Sequence, residues 1–129
     1  MSANNEISDL LNQYELDVKE EDIEDLLKFH TSNDETFDSG KELLRDRIEH
    51  WFKSYDGEIK FKFNDIHLES GEELSICHAL IKTSGKLKNG KKAEMWTRST
   101  LGLKKEEGQW RIFREHTSGP IEMDAQLGL

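Results

Sequence analysis

Apolar residues recur at helical spacing through the first third of the chain and at every second position afterwards. Ile7, Leu10, Leu11, Tyr14 and Val18 form one stripe, the spacing of a helix with one buried face. Lys19-Glu20-Glu21-Asp22 breaks the stripe, and Ile23, Leu26, Leu27 and His30 resume it as a second, short helix. Its acidic first turn suits the positive end of a helix dipole. Residues 31–40 (TSNDETFDSG) form a polar connector with room for only a very short strand around Thr36-Phe37. Ser39 and Glu42 make a capping box for a third helix. That helix carries Leu44, Ile48, Trp51 and Tyr55, with Leu43 and Phe52 beside them, and Asp56-Gly57 ends it.

From residue 58 the period is two. Ile59, Phe61 and Phe63 alternate with charged residues, and Ser70-Gly71-Glu72 turns the chain. Leu74 to Thr83 reads as a second strand, Asn89-Gly90 as a hairpin turn, Ala93 to Leu103 as a third strand, and Glu107-Gly108 as the turn into a fourth. Three helices followed by four antiparallel strands predict an α+β domain spanning residues 1–129, with the helices over one face of the sheet. A sheet that curls around helices leaves a pocket at its open end.

The last strand does not alternate cleanly. Trp110, Ile112, Arg114, His116 and Ser118 fall on one side and Arg111, Phe113, Glu115 and Thr117 on the other. The first side starts apolar and turns polar. In the third strand Trp96, Arg98 and Thr100 share one face, and Met95, Thr97, Ser99, Leu101 and Leu103 the other. Each strand has a mostly apolar side and a side that mixes large aromatics with polar groups, so both need cover. A helix layer with a cavity can cover one and a second subunit the other, which predicts a homodimer built sheet to sheet. The pattern alone does not say which face is which.

The formal net charge is −9 over 129 residues. The one basic cluster, Lys86–Lys92, reads as a solvated hairpin tip, so nucleic acid and anionic membrane are poor partners. Cys77 is the single cysteine, which excludes an internal disulfide and suits a reducing compartment. Met1–Ser8 carries no basic or apolar signal-peptide region, and no apolar run approaches a membrane span. A soluble, cytoplasmic protein is expected. The five histidines lack zinc-type spacing, no glycine-rich phosphate loop is present, and no metal or cofactor is implied.

Residues 50–123 carry Phe52-x-Ser54-x-Asp56-Gly57, Cys77-His78, Trp96-x-Arg98-x-Thr100, Gly108-x-Trp110-Arg111-Ile112 and His116-x-Ser118-x-Pro120. With these the chain resembles the SnoaL-like branch of the NTF2-like, ketosteroid-isomerase-like superfamily. The resemblance implies a cone: a strongly bent antiparallel sheet over three helices, usually dimeric, with its pocket inside. It also implies that the polar residues of the last strand face that pocket. Tyr14 and Asp38 fall where steroid isomerases of the superfamily hold a phenol and a carboxylate base, a pairing that moves a proton beside a carbonyl and supports the oxyanion. Trp96 and Thr97 stand where those enzymes hold a second acid. Arg114 stands where nearer relatives often carry a histidine, which adds a fixed positive charge suited to an anionic ligand.

These residues define the expected site. His116 is the candidate proton carrier, with Asp38 and Tyr14 as further catalytic candidates. Trp96, Arg98, Arg114, Ser118 and Trp51 are candidate ligand contacts. Each has a plainer reading. Asp38 caps helix three beside Ser39. Tyr14 is a core tyrosine. His116 and Ser118 pin the turn at Gly119-Pro120. Arg98 forms an ion pair or an interface contact. Trp51 belongs to the core, as part of the pocket wall, and His78 to the core or an interface. The expected function is cofactor-free proton transfer on a partly apolar carbonyl or carboxylate compound, of isomerase, cyclase or hydro-lyase type. The alternative is a non-catalytic small-ligand or dimerisation module.

Overall fold

The computed structural model describes residues 2–31 and 41–121, apart from the side chains of residues 41–43, 120 and 121. Three helices, α1 (Ala3–Lys19), α2 (Ile23–Lys28) and α3 (Lys41–Lys53), precede four strands, β1 (Lys60–Ser70), β2 (Leu74–Lys86), β3 (Lys92–Glu106) and β4 (Gln109–Ile121). This is the expected α+β order. The connector strand near Thr36-Phe37 and the Ser39–Glu42 capping box lie outside the described residues.

Ser2 starts α1 by accepting the Asn5 amide on its hydroxyl, at 3.2 Å. The predicted stripe of Ile7, Leu10, Leu11, Tyr14 and Val18 is buried, and Asp17 is buried with it. Glu21 takes a left-handed conformation (φ 54°), and the Asp22 amide donates back to the Asp17 carbonyl at 2.9 Å, closing the helix end. The Asp22 side chain then caps α2 by accepting the Asp25 amide at 3.1 Å. Past α2 the backbone docks on β4. The Ile112 amide donates to the Phe29 carbonyl, and the Thr31 amide donates to the Ile112 carbonyl. His30 is buried between them. An Arg45–Glu24 ion pair ties α3 to α2.

The sheet is antiparallel in the order β1-β2-β3-β4. Its inner face carries Phe63, Cys77, Ala79, Ile81, Leu101, Leu103, Trp110 and Ile112, all buried against the helices. Burial pushes the Cys77 thiol up to about 11, so the lone cysteine is protonated filler. Tyr55, just past α3, packs its ring on β2 at Gly85, where a side-chain carbon would stand 2.8 Å from the ring. Only glycine leaves that space. The β3–β4 turn has positive φ at both Glu107 and Gly108, the signature of a two-residue hairpin turn.

The irregular alternation of β4 has a simple cause. Leu103 pairs with Ile112 and Gly102 with Arg114, so Phe113 is an extra residue. This β-bulge moves Arg114, His116 and Ser118 to the face opposite Trp110 and Ile112. The ring of Phe113 lies over Gly102; a Cβ there would meet its Cζ at 3.1 Å. No helix among the described residues is long and apolar enough to cross a membrane.

Candidate functional site

A cavity of about 300 Å³ opens between the helices and the inner face of the sheet, the lower end of the range for small-molecule sites. Tyr14 enters it from α1, Arg47, Ile48 and Trp51 from α3, Phe61 from β1, Ile81 and Thr83 from β2, Met95 and Thr97 from β3, and Glu115 and Thr117 from β4. One wall is aromatic. Tyr14 lies with its ring centroid 5.8 Å from Phe61 and 5.9 Å from Phe63, and Trp51 stands 5.7 Å from Phe61. The facing wall is polar: Thr97, Glu115 and Thr117, with Arg47 at the helical rim. Behind Thr97 and Thr117, Ser99 pairs in register with Thr117 and keeps a buried hydroxyl without a hydrogen-bond partner.

Two of the sequence candidates, Tyr14 and Trp51, line this cavity. Five do not. Trp96, Arg98, Arg114, His116 and Ser118 stand on the outer face, where the register pairs Arg98 with Ser118, Thr100 with His116 and Gly102 with Arg114. The expectation that the polar residues of the last strand face the pocket is therefore corrected. The bulge at Phe113 inverts the alternation, so Glu115 and Thr117 point inward. Arg98, Arg114, His116 and Ser118 are exposed, and Trp96 is half-buried. Asp38 lies outside the described residues. His78, also outer-facing, meets Thr100 Oγ1 through its Nδ1 at 3.1 Å.

Sequence reasoning missed Arg47, Thr97, Glu115 and Thr117 as cavity residues. The signal for the last two was present: a strand that turns polar on its apolar side is what one inserted residue produces. Arg47 precedes Ile48 on α3, and a charged residue beside the apolar stripe of a helix carries no mark of its own in the helical period.

Two other features compete less well as sites. A groove of about 530 Å³ runs between α1 and β1 past Glu15, Leu16, Lys60 and Lys82. Three of its charged groups are engaged: Glu15 accepts the Phe63 amide at 2.7 Å and faces Lys62 at 3.7 Å, and Lys82 faces Glu94 at 3.7 Å. Among the described residues, the one carboxylate trio with cation-ligand spacing is Asp17, Asp22 and Asp25, at the α1–α2 corner and away from the cavity.

The sequence model of the family described as SnoaL-like domain matches residues 3–122. No curated protein matches. The fold recurs in solved structures. An NTF2-like protein of unknown function from Pseudomonas putida KT2440 is 21% identical with a TM-score of 0.75, over 98% of this chain and 94% of that one. A protein with a cystatin-like fold from Nostoc punctiforme is 16% identical with a TM-score of 0.75, over 91% and 92%. A protein provisionally named scytalone dehydratase, from Novosphingobium aromaticivorans, is 12% identical with a TM-score of 0.77, over 92% and 87%. At these identities the likeness establishes the shared fold.

Proposed function

The chain belongs to the SnoaL-like domain family, and on that premise we propose that its interior cavity binds a small, partly apolar carbonyl or carboxylate compound and moves a proton on it without a cofactor. The observation that supports this reading is the convergence of a carboxylate, a phenol and a guanidinium on one aromatic-walled space, at Glu115, Tyr14 and Arg47. The proton-carrying role that the sequence suggested for His116 passes to Glu115. The anion-holding role suggested for Arg98 or Arg114 passes to Arg47. Trp51 and Phe61 hold the apolar body of the ligand, and Thr97 and Thr117 orient its polar edge.

The chemistry is that of a carbonyl neighbour. Glu115 takes a proton from the carbon beside the carbonyl, and the electron pair moves onto oxygen. Tyr14 donates a hydrogen bond to that oxygen, and Glu115 returns the proton. The similar fold of a protein provisionally named scytalone dehydratase agrees with a reaction of this type.

The test is exchange of α-protons in D₂O, followed by NMR over a panel of small aromatic ketones and keto acids. Wild type is expected to accelerate exchange for at least one compound. Glu115→Gln should lower that rate by about 10²-fold or more while retaining binding, read by intrinsic tryptophan fluorescence, to which Trp51 in the cavity wall contributes. A compound that binds in the cavity and exchanges equally fast with Glu115→Gln overturns the catalytic reading and leaves a binding module.

The outer face favours self-association as part of the same reading. Leu74 and Ile76 are 60% and 47% exposed, and further along the same face Leu80 and Trp96 are half-buried, apolar surface that a second copy would cover. Sedimentation should give a homodimer, with Ile76→Glu monomeric; a monomeric wild type removes this part. The buried, protonated Cys77 suits the reducing cytoplasm, where we place the protein.

A further inference from the structure

The corner where α1 meets α2 holds a feature that cavity chemistry does not use. Asp17, Asp22 and Asp25 each present one carboxylate oxygen, and the three lie within 4.8 Å of one another. Clusters of surface acids are common and bind nothing. This one differs because Asp17 is 2% exposed. Its Oδ1 accepts from Gln13 Nε2 at 2.9 Å, and its Oδ2 is buried with no hydrogen-bond partner. A buried carboxylate oxygen without a donor is costly, and the cost falls when something positive meets it.

The neighbouring Asp25 carboxyl can meet Asp17 only by sharing a proton, and the surrounding charge supplies no other partner. Lys28 Nζ stands 3.6 Å from Asp25 Oδ1 but is 72% exposed, so its field at Asp17 is screened. Three carboxylates and one ammonium leave the corner two charges negative. The α1 carbonyl end brings the negative pole of its dipole to the corner and the amide end of the short α2 brings a positive one, so the two offset and the carboxylates set the local charge.

We propose that this corner is a Ca²⁺ site, with Asp17 Oδ2, Asp22 and Asp25 as its protein ligands and water completing the shell on the exposed Asp22 side. A dication brings the local charge to zero. Calcium takes oxygen ligands at about 2.3–2.6 Å, so two ligands of one ion stand at most roughly 5 Å apart. Each pair in the trio falls inside that limit. Magnesium demands near-ideal octahedral geometry at about 2.0–2.1 Å and keeps several waters, so three clustered carboxylates suit it less well. The corner is also held in place: the Asp22 amide is bonded to the Asp17 carbonyl, and the Asp22 side chain caps α2. The site would fix the end of the helix that carries Tyr14, one turn earlier.

Calorimetric titration of the whole chain with CaCl₂ at about pH 7.5, above the carboxylate range, tests this, with thermal melts in EDTA and in CaCl₂. Wild type should bind one Ca²⁺ saturably and melt at a higher temperature with calcium. Asp17→Asn should bind at least tenfold more weakly and lose the calcium-dependent shift, yet melt in EDTA no lower than wild type, which separates a lost ligand from a lost fold. Asp22→Asn keeps a capping side chain and should also weaken binding. No saturable heat by about 10 mM CaCl₂, beyond the weak end of protein calcium sites, overturns the proposal. So does unchanged binding by Asp17→Asn, or a Mg²⁺ shift equal to that of Ca²⁺.

Discussion

Glu115 and His116 are neighbours in the chain and live in different environments. Thr97, Glu115 and Thr117 open onto a cavity walled by Tyr14, Trp51 and Phe61. One residue away, Arg98, Arg114, His116 and Ser118 stand exposed on the other side of the sheet. The difference teaches that in a strand the face assigned to a residue is a property of register, not of the residue's chemistry. A single bulged residue, Phe113, exchanges one polar set for the other.

The largest contrast is in stability. Leu103 is fully buried on the inner face, so Leu103→Ala should cost about 2–5 kcal/mol. Ser118→Ala on the exposed outer face should fall within about 0.5 kcal/mol of wild type. Urea denaturation measures both. A comparable loss for Ser118→Ala would mean that the interface of the proposed dimer extends past Arg98 onto β4.

A polar group buried in the helical layer extends the contrast. Burial, then the neighbouring Asp25 carboxyl, pushes the Asp17 side chain from 3.8 up to about 6. The folded state therefore holds a proton that the unfolded state releases. Stability is greatest below the unfolded value and declines as pH rises from about 4 through about 6. The shift corresponds to about 3 kcal/mol at neutral pH. Asp17→Asn in EDTA should remove this slope and be more stable than wild type above about pH 6. Urea midpoints measured across that range check it. An unchanged slope would show that Asp17 is solvated in solution.

Much of this was legible in the sequence. The α1 stripe is buried as its spacing requires, the turn at Glu107-Gly108 forms where its residue types allow positive φ, and the two faces of β3 separate as alternation says. Each of these follows from local chemistry and a fixed period. The bulge does not. It is set by how β4 pairs with β3, where Gly102 leaves room for the Phe113 ring, and a single strand read alone carries no partner. Asp17 was opaque for a related reason: it borders the apolar stripe, and burial of its carboxylate depends on α2 folding back over it.

Filling the space at the bulge should have a smaller effect. A Cβ at Gly102 would meet Phe113 Cζ at 3.1 Å and Arg114 Cβ at 3.5 Å. The ring is the movable partner, so Gly102→Val should cost about 1–2 kcal/mol, read by urea midpoint. An indifferent Gly102→Val would show that Phe113 does not rest there.

The smallest stability effects carry the sharpest functional contrast. Thr117→Val and His116→Ala change adjacent residues of one strand, and each should alter stability by no more than about 1 kcal/mol. For a ligand seated in the cavity, Thr117→Val removes a hydroxyl that orients its polar edge, which should weaken binding by about 5–10-fold, the worth of one neutral hydrogen bond. His116→Ala removes an imidazole from the far side of the sheet and should leave affinity unchanged. Titrating both variants with the best compound from the exchange screen, by intrinsic tryptophan fluorescence, compares them directly. If His116→Ala is the damaging change, the ligand sits on the outer face, and the polar set that the bulge turned away from the cavity is the site after all.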